Sequence, residues 1–321
     1  MRKAIYLSLG VMLLLQVPGF AQVGVKSDQP NVIGAAGNQT MNAMSLESLS
    51  NDQLYALAKL FLVSSNGMQQ DGQFGKAIGQ IDAALLALGK IDEASLDKDQ
   101  KLEIATFRKG AEIQKLEILS AQAAEADDYD TAIAYQNQIV SLANAFIGEV
   151  SDKRVKAEFT YTRNMAEIYK LTLAAGKAAK AEDYAGAAAL QAQIAVLAGK
   201  FAGEADSKAQ KANYNLQKHN AEITQMNLTA VQLGKDNKVN ALIDVYLGEI
   251  AKIQQFMVTN PDGKKNYEIM LDNAKSGLQD VTFSALNVES AVDTLNLILP
   301  KVAPHIDPVI LQAIKLQAGI E

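Results

Sequence analysis

The chain has 321 residues, no cysteine, a formal charge of −6 and 49% hydrophobic residues. That is enough apolar material for a large core. The mild acidic balance argues against nucleic acid, which needs a basic face to release counterions, and the missing cysteine excludes disulfides, thiolate metal sites and cysteine nucleophiles.

Residues 1–21 read as an export signal. Arg2 and Lys3 form a charged start, Ala4 to Leu15 is almost wholly apolar, and Gly19-Phe20-Ala21 offers a small-x-small cleavage site. As a helix the apolar run reaches only about 18 Å, short of a hydrocarbon core of about 30 Å, and Gln16 and Pro18 interrupt its extension. Cleavage is expected near Ala21, leaving a periplasmic or secreted protein. No cysteine stands at the cleavage point, which excludes a bacterial lipid anchor. No transmembrane segment is expected in the mature chain. Residues 22–48 are Gly-, Asn- and Ser-rich with little periodicity, as in a flexible leader.

From residue 49 to about 300 the chain repeats itself. Phe74, Tyr129 and Tyr184 are 55 apart, as are Ala77, Ala132 and Ala187. The phrase Ala-Glu-Ile recurs at Ala111, Ala166 and Ala221, and Gly-Glu at Gly148 and Gly203, in the same register. The unit is two helices. Val155, Phe159, Thr162, Ala166, Tyr169 and Leu173 recur at helical steps and define helix A. Tyr184, Ala187, Ala188, Ile194 and Leu197 mark the buried stripe of helix B, which Asp183 can cap.

The period predicts hairpins near 51–90, 99–149, 152–204 and 207–258, with caps at Ser50 (in a box with Gln53), Asp97, Ser151 and Ser207. A divergent fifth hairpin is expected over 264–279 and 287–299. Pro300, Pro304 and Pro308 are expected to break the chain before a capping helix within 301–321, begun by Asp307 and buried through Val309, Ile310, Ala313 and Ile314. The expected fold is all-α: an α-solenoid of about five antiparallel hairpins with long helices.

The phrase resembles the tetratricopeptide repeat. Small residues stand at Ser65, Ser120, Ala175 and Ala230, each followed by the aromatic-x-x-Ala element led by Phe74, Tyr129 and Tyr184 in the first three copies. The resemblance covers roughly 50–260 and implies hairpins in which helix B packs closely on helix A. The period here is 55 against about 34 in that family, so the arms are longer. Locally, "AEDYAGAAALQAQIAVL" is similar to the UVR hairpin motif of excision-repair proteins, with Gln191-Ala192 in place of its Arg-Asp pair.

Helix A carries a charge ladder. Arg108, Arg163 and Lys218 are 55 apart, and Glu112, Glu167 and Glu222 follow each by one turn. One reading is three i,i+4 pairs on solvated faces, each worth about 0.2–0.5 kcal/mol. The other is a polar stripe for a peptide or protein partner, extended by Lys109, Asn164 and His219, which vary between copies. The aromatic openers read as core wedges. His219 and His305 both read as exposed and stand apart from ligand spacing such as H-E-x-x-H. There is no G-x-S-x-G elbow, P-loop or dinucleotide fingerprint. Acidic residues at the hairpin turns are explained by capping. No metal or cofactor is expected. The sequence therefore points to an exported, non-catalytic scaffold that binds a protein or peptide. The alternative is a structural, self-assembling envelope component, and an enzyme built on scattered carboxylates ranks last.

Overall fold

The computed structural model describes residues 46–259, 264–287 and 291–320. The export signal, its cleavage site and most of the leader lie outside the described residues. Those described form eleven α-helices and no strand. They are α1 (Asn51–Gln70), α2 (Phe74–Gly89), α3 (Lys98–Glu125), α4 (Tyr129–Glu149), α5 (Lys153–Lys180), α6 (Tyr184–Glu204), α7 (Lys208–Lys235), α8 (Val239–Thr259), α9 (Lys264–Ser284), α10 (Ala291–Val302) and α11 (Pro308–Ala318).

The fold class is the all-α helical-hairpin one that the periodicity predicts. The helices also keep its interval. α3, α5 and α7 each have 28 residues, and α4, α6 and α8 each have 21. Within each set the first residues are 55 apart.

The chain divides into two compact units, one ending at Leu173 and the other beginning at Ala174, inside α5. Composition does not mark that boundary. In the first unit α1 packs on α2, α2 on α3 and α3 on α4. Leu54, Ile81, Leu88 and Ile104 centre one core cluster, and Ile113, Ile139, Phe146 and Phe159 another. Leu46 and Leu49 pack on the first cluster beside a 3-10 turn at Leu46–Ser48, so the leader ends earlier than its composition suggests. In the second unit α6 packs on α7, α7 on α8, α8 on α9 and α10, and α10 on α11. Ile223, Ile243, Ile250, Phe256, Leu278 and Ile298 fill its core. Each such side chain, fully buried, contributes about 1.5–3 kcal/mol.

One turn closes all four A–B hairpins. Gly72, Asp127, Glu182 and Asn237 all have positive φ, of 71°, 61°, 60° and 54°, again at intervals of 55. In each, the next residue's N–H bonds back across six residues, to the carbonyls of Met68, Ala123, Ala178 and Leu233 at 2.8–3.0 Å. The left-handed residue's own N–H bonds the carbonyl of Gln69, Ala124, Ala179 or Gly234. This is the Schellman closure, which satisfies carbonyls left over at a helix C-terminus. The following helix begins at once, with Asp128 accepting from the Thr131 N–H and Asp183 from the Gly186 N–H.

The opposite corners repeat too. Phe146, Phe201 and Phe256 end the B helices, 55 apart and buried. Each meets an aromatic ring of the next helix A: Phe159 at 4.6 Å, Tyr214 at 5.6 Å and Tyr267 at 6.0 Å between centroids.

Ser50 forms the expected capping box with Gln53, Asp97 caps α3 as expected and does so in a box with Gln100, and Ser207 caps α7. Four details differ from expectation. Asp152, not Ser151, caps α5, accepting from the Val155 N–H at 2.9 Å. α9 runs on to Ser284. Pro300 lies inside α10, which continues to Val302. In α11 Ile314 is buried and Ile310 half-buried, but Val309 and Ala313 face solvent.

Among the described residues one helix, α6, is long and apolar enough to cross a membrane by length and composition, an exception to the expectation above. Its apolar character comes largely from alanine. Tyr184, Ala187, Ile194, Ala198 and Phe201 are buried in the packing of the hairpin, so it reads as a core helix.

Candidate functional site

The helix A positions that vary between copies are α3, α5 and α7 residues near mid-helix. Arg108 turns to the preceding B helix. Its Nη2 donates to the Leu88 carbonyl at 3.0 Å and to the Glu93 carboxylate at 2.9 Å. Leu88 lies in the last turn of α2, whose carbonyls carry partial negative charge, so a guanidinium is well placed there. Arg163, one period on, reaches Asn144 of α4, one residue past the register of Leu88, at 3.5 Å and bonds the Asn164 Oδ1 at 2.8 Å. The Lys218 stem lies against Gly199 of α6, the next position in that series.

The acidic half of the ladder has other partners. Glu112 pairs with Lys109 at 2.7 Å, Glu167 with Lys170 at 3.0 Å and Glu222 with Lys252 of α8 at 3.1 Å. The i,i+4 reading of the ladder is therefore corrected: its bases address the neighbouring helix B, and its acids pair elsewhere. These groups are partly exposed, so each pair is worth about 0–1 kcal/mol.

Two of the varying residues turn at least partly inward. Asn164 is 5% exposed. His219 stacks on Phe256 with ring centroids 3.7 Å apart, and its Nδ1 lies 3.4 Å from the Tyr267 hydroxyl. Burial lowers its pKa from the usual histidine value. His305 is half-buried as well. The expectation that both histidines are exposed is corrected.

Among the aromatic openers Tyr184 is buried, whereas Phe74 and Tyr129 are half-buried. The Lys235 ammonium sits 4.6 Å above the Tyr184 ring and 2.6 Å from the Glu182 carboxylate. It thus ties the turn that precedes α6 to the end of α7. Ala77, Ala132 and Ala187 have no exposed surface, as close approach of the two helices requires. Gln136 and Gln191 are buried, while Gln138 and Gln193 face solvent.

The most unusual side chain was not singled out by its residue type. Glu249 of α8 is 2% exposed, and its Oε2 has no hydrogen-bond partner. It occupies the register of Ile139 and Ile194, both buried. One turn earlier Tyr246 replaces the buried Gln136 and Gln191. Gly277 of α9 leaves room for that ring, since a Cβ there would lie 2.5 Å from it. Burial raises the Glu249 carboxyl to about 7, opposed by a hydrogen bond from Asn227 of α7. Asn227 stands one and two periods after Thr172 and Glu117. Burial also pushes Glu117 up, to about 8. The signal was present in the sequence: aligning copies at 55 residues puts Ile, Ile and Glu in one column.

Among the described residues no group of three or more histidine, aspartate or glutamate side chains is arranged to hold a metal ion. The chain matches no protein-family model, and comparison with curated proteins and with solved structures finds no match.

Proposed function

We propose that the chain is an exported, non-catalytic helical-repeat scaffold that binds a protein or peptide, in the manner of a tetratricopeptide-like array with longer arms. The observation that carries this reading is the recurrence of one hairpin, with the same helix lengths and the same left-handed turn, at intervals of 55 residues. Stacked hairpins of this kind create an extended surface with little chemistry of their own. Arg108, Lys109, Glu112, Arg163, Glu167, Lys218 and Glu222 are the partly exposed helix A groups that a partner would meet. Asn164 and His219 serve the packing beneath.

A second reading, a structural component that packs against copies of itself, is favoured by α11. Val309 and Leu316 lie two turns apart on one face and are 78% and 79% exposed. Such apolar side chains on a terminal helix suit contact with another surface.

The test is a crosslinked pull-down of the mature chain from its own cell envelope, paired with light scattering at micromolar concentration. A scaffold gives a monomer or dimer and enriches a partner reproducibly. A structural component gives large assemblies. A monomer that captures nothing contradicts both.

A further inference from the structure

We propose that Glu249 is a pH-sensitive switch built into the second unit: neutral, it is tolerated in the core between α7, α8 and α9, and its ionisation as pH rises to neutrality and above loosens the packing of α8. In the two preceding copies this register holds a buried isoleucine. A carboxyl in that apolar slot is stable only without its charge, because an unpaired buried charge costs far more than a buried neutral acid.

The surroundings offer one compensating contact. From α7 only the Asn227 side chain reaches the carboxyl. Nearby on α7, His219 is stacked on Phe256, and Glu222 is paired with Lys252 of α8. The Tyr246 hydroxyl is pushed up by burial first, then by the Glu249 carboxylate and the Asp280 carboxylate of α9. Tyr267, also on α9, bonds His219. From α10, Lys301 reaches Asp244, near the other end of α8, at 2.9 Å. So Lys252 and Lys301 are bound to other acids, and burial, opposed by the Asn227 hydrogen bond, governs the carboxyl.

The acid is harder to ionise when folded, so the folded state holds the proton to higher pH than the unfolded chain. The stabilisation is fully present below the unfolded value of 4.5 and is lost as pH rises through about 7. Between about pH 5.5 and about pH 8.5 that displacement corresponds to a fall on the order of 30-fold in the folding equilibrium constant.

The test is amide hydrogen exchange of the 239–259 segment in the full-length mature protein at those two pH values, corrected for intrinsic exchange rates. Protection in the wild type should fall about 30-fold from the lower to the higher pH. Glu249→Gln keeps the shape without the charge and should remove most of that fall. Glu249→Ile restores the residue of the other copies and should do the same. Glu117 lies in the first unit, so its titration is read separately in peptides from α3. The proposal is overturned if Glu249→Gln and Glu249→Ile show the wild-type fall, or if the wild type shows none. It is also overturned if neither variant folds at about pH 5.5, where the replaced group is neutral.

Discussion

Replacing Gly72 by alanine tests the hairpin turn in a way that fixes the sign of the result. Gly72 has φ of 71°, and nothing lies within 4 Å of where its Cβ would be. The substitution therefore meets no clash, and only backbone preference decides its effect. A left-handed conformation costs an L-residue about 1–2 kcal/mol. Against this, alanine reduces the entropy of the unfolded chain and returns about 0.4–1 kcal/mol. The balance is a loss of about 1 kcal/mol. With a urea m-value of about 2 kcal/mol/M, the midpoint followed by circular dichroism at 222 nm falls by about 0.5 M. Gly72→Asn should lose roughly half as much, because asparagine tolerates this region better. If Gly72 were right-handed, alanine would instead stabilise by about 0.4–1 kcal/mol. An unchanged or raised midpoint for Gly72→Ala refutes the shared turn.

Ala132 has no exposed surface where helices approach, and the Ser120 hydroxyl donates to its carbonyl at 3.0 Å; Ala132→Leu should overpack the hairpin and lower stability by about 1–3 kcal/mol in urea melts. Gly277→Ala should destabilise by a similar amount through the Tyr246 ring, whereas Gly79→Ala, mid-helix in open space, should gain about 0.5–1 kcal/mol; the pair separates steric need from helix propensity. His219 is harder to protonate when folded, so its contribution is present above the unfolded value of 6.5 and is lost as pH falls below it. His219→Gln should therefore gain stability relative to the wild type as pH falls from about 7 to about 5, read by calorimetry.

Much of the hairpin layout was legible because the repeat supplies several independent markers in one register. Starts at Asn51, Lys98 and Lys208 fall within two residues of the expected ones, since caps such as Ser50 and Asp97 act locally. The left-handed turn was harder to read. Only the first copy carries glycine; the others use Asp127, Glu182 and Asn237, and an acidic pair reads first as a cap. The partners of the charge ladder were not legible at all. Arg108 has Glu112 one turn away, yet bonds the end of α2, and that choice depends on how helix B passes over helix A. The terminal helix misled for a related reason. Its apolar residues occupy both faces, so periodicity could not say that Ile314 points inward and Val309 outward. Glu249 was hidden by its residue type: single acids on a helix usually face water, and only the aligned column of isoleucines marks it as interior.

The scaffold proposal rests on the 55-residue hairpin being the structural unit, and excision of one period tests that most directly. Removing residues 74–128 joins Gln73 to Tyr129, so that the Gly72 turn leads straight into α4. The account predicts a soluble protein 55 residues shorter, with unchanged helicity per residue and a cooperative melt, because each hairpin depends mainly on its neighbours. An out-of-register deletion of about 50 residues across the same region should fail to fold, since the five-residue difference is about 1.4 helical turns and sets the buried faces about 140° out of phase. If both deletions are equally unfolded, or equally tolerated, the 55-residue hairpin is not the structural unit.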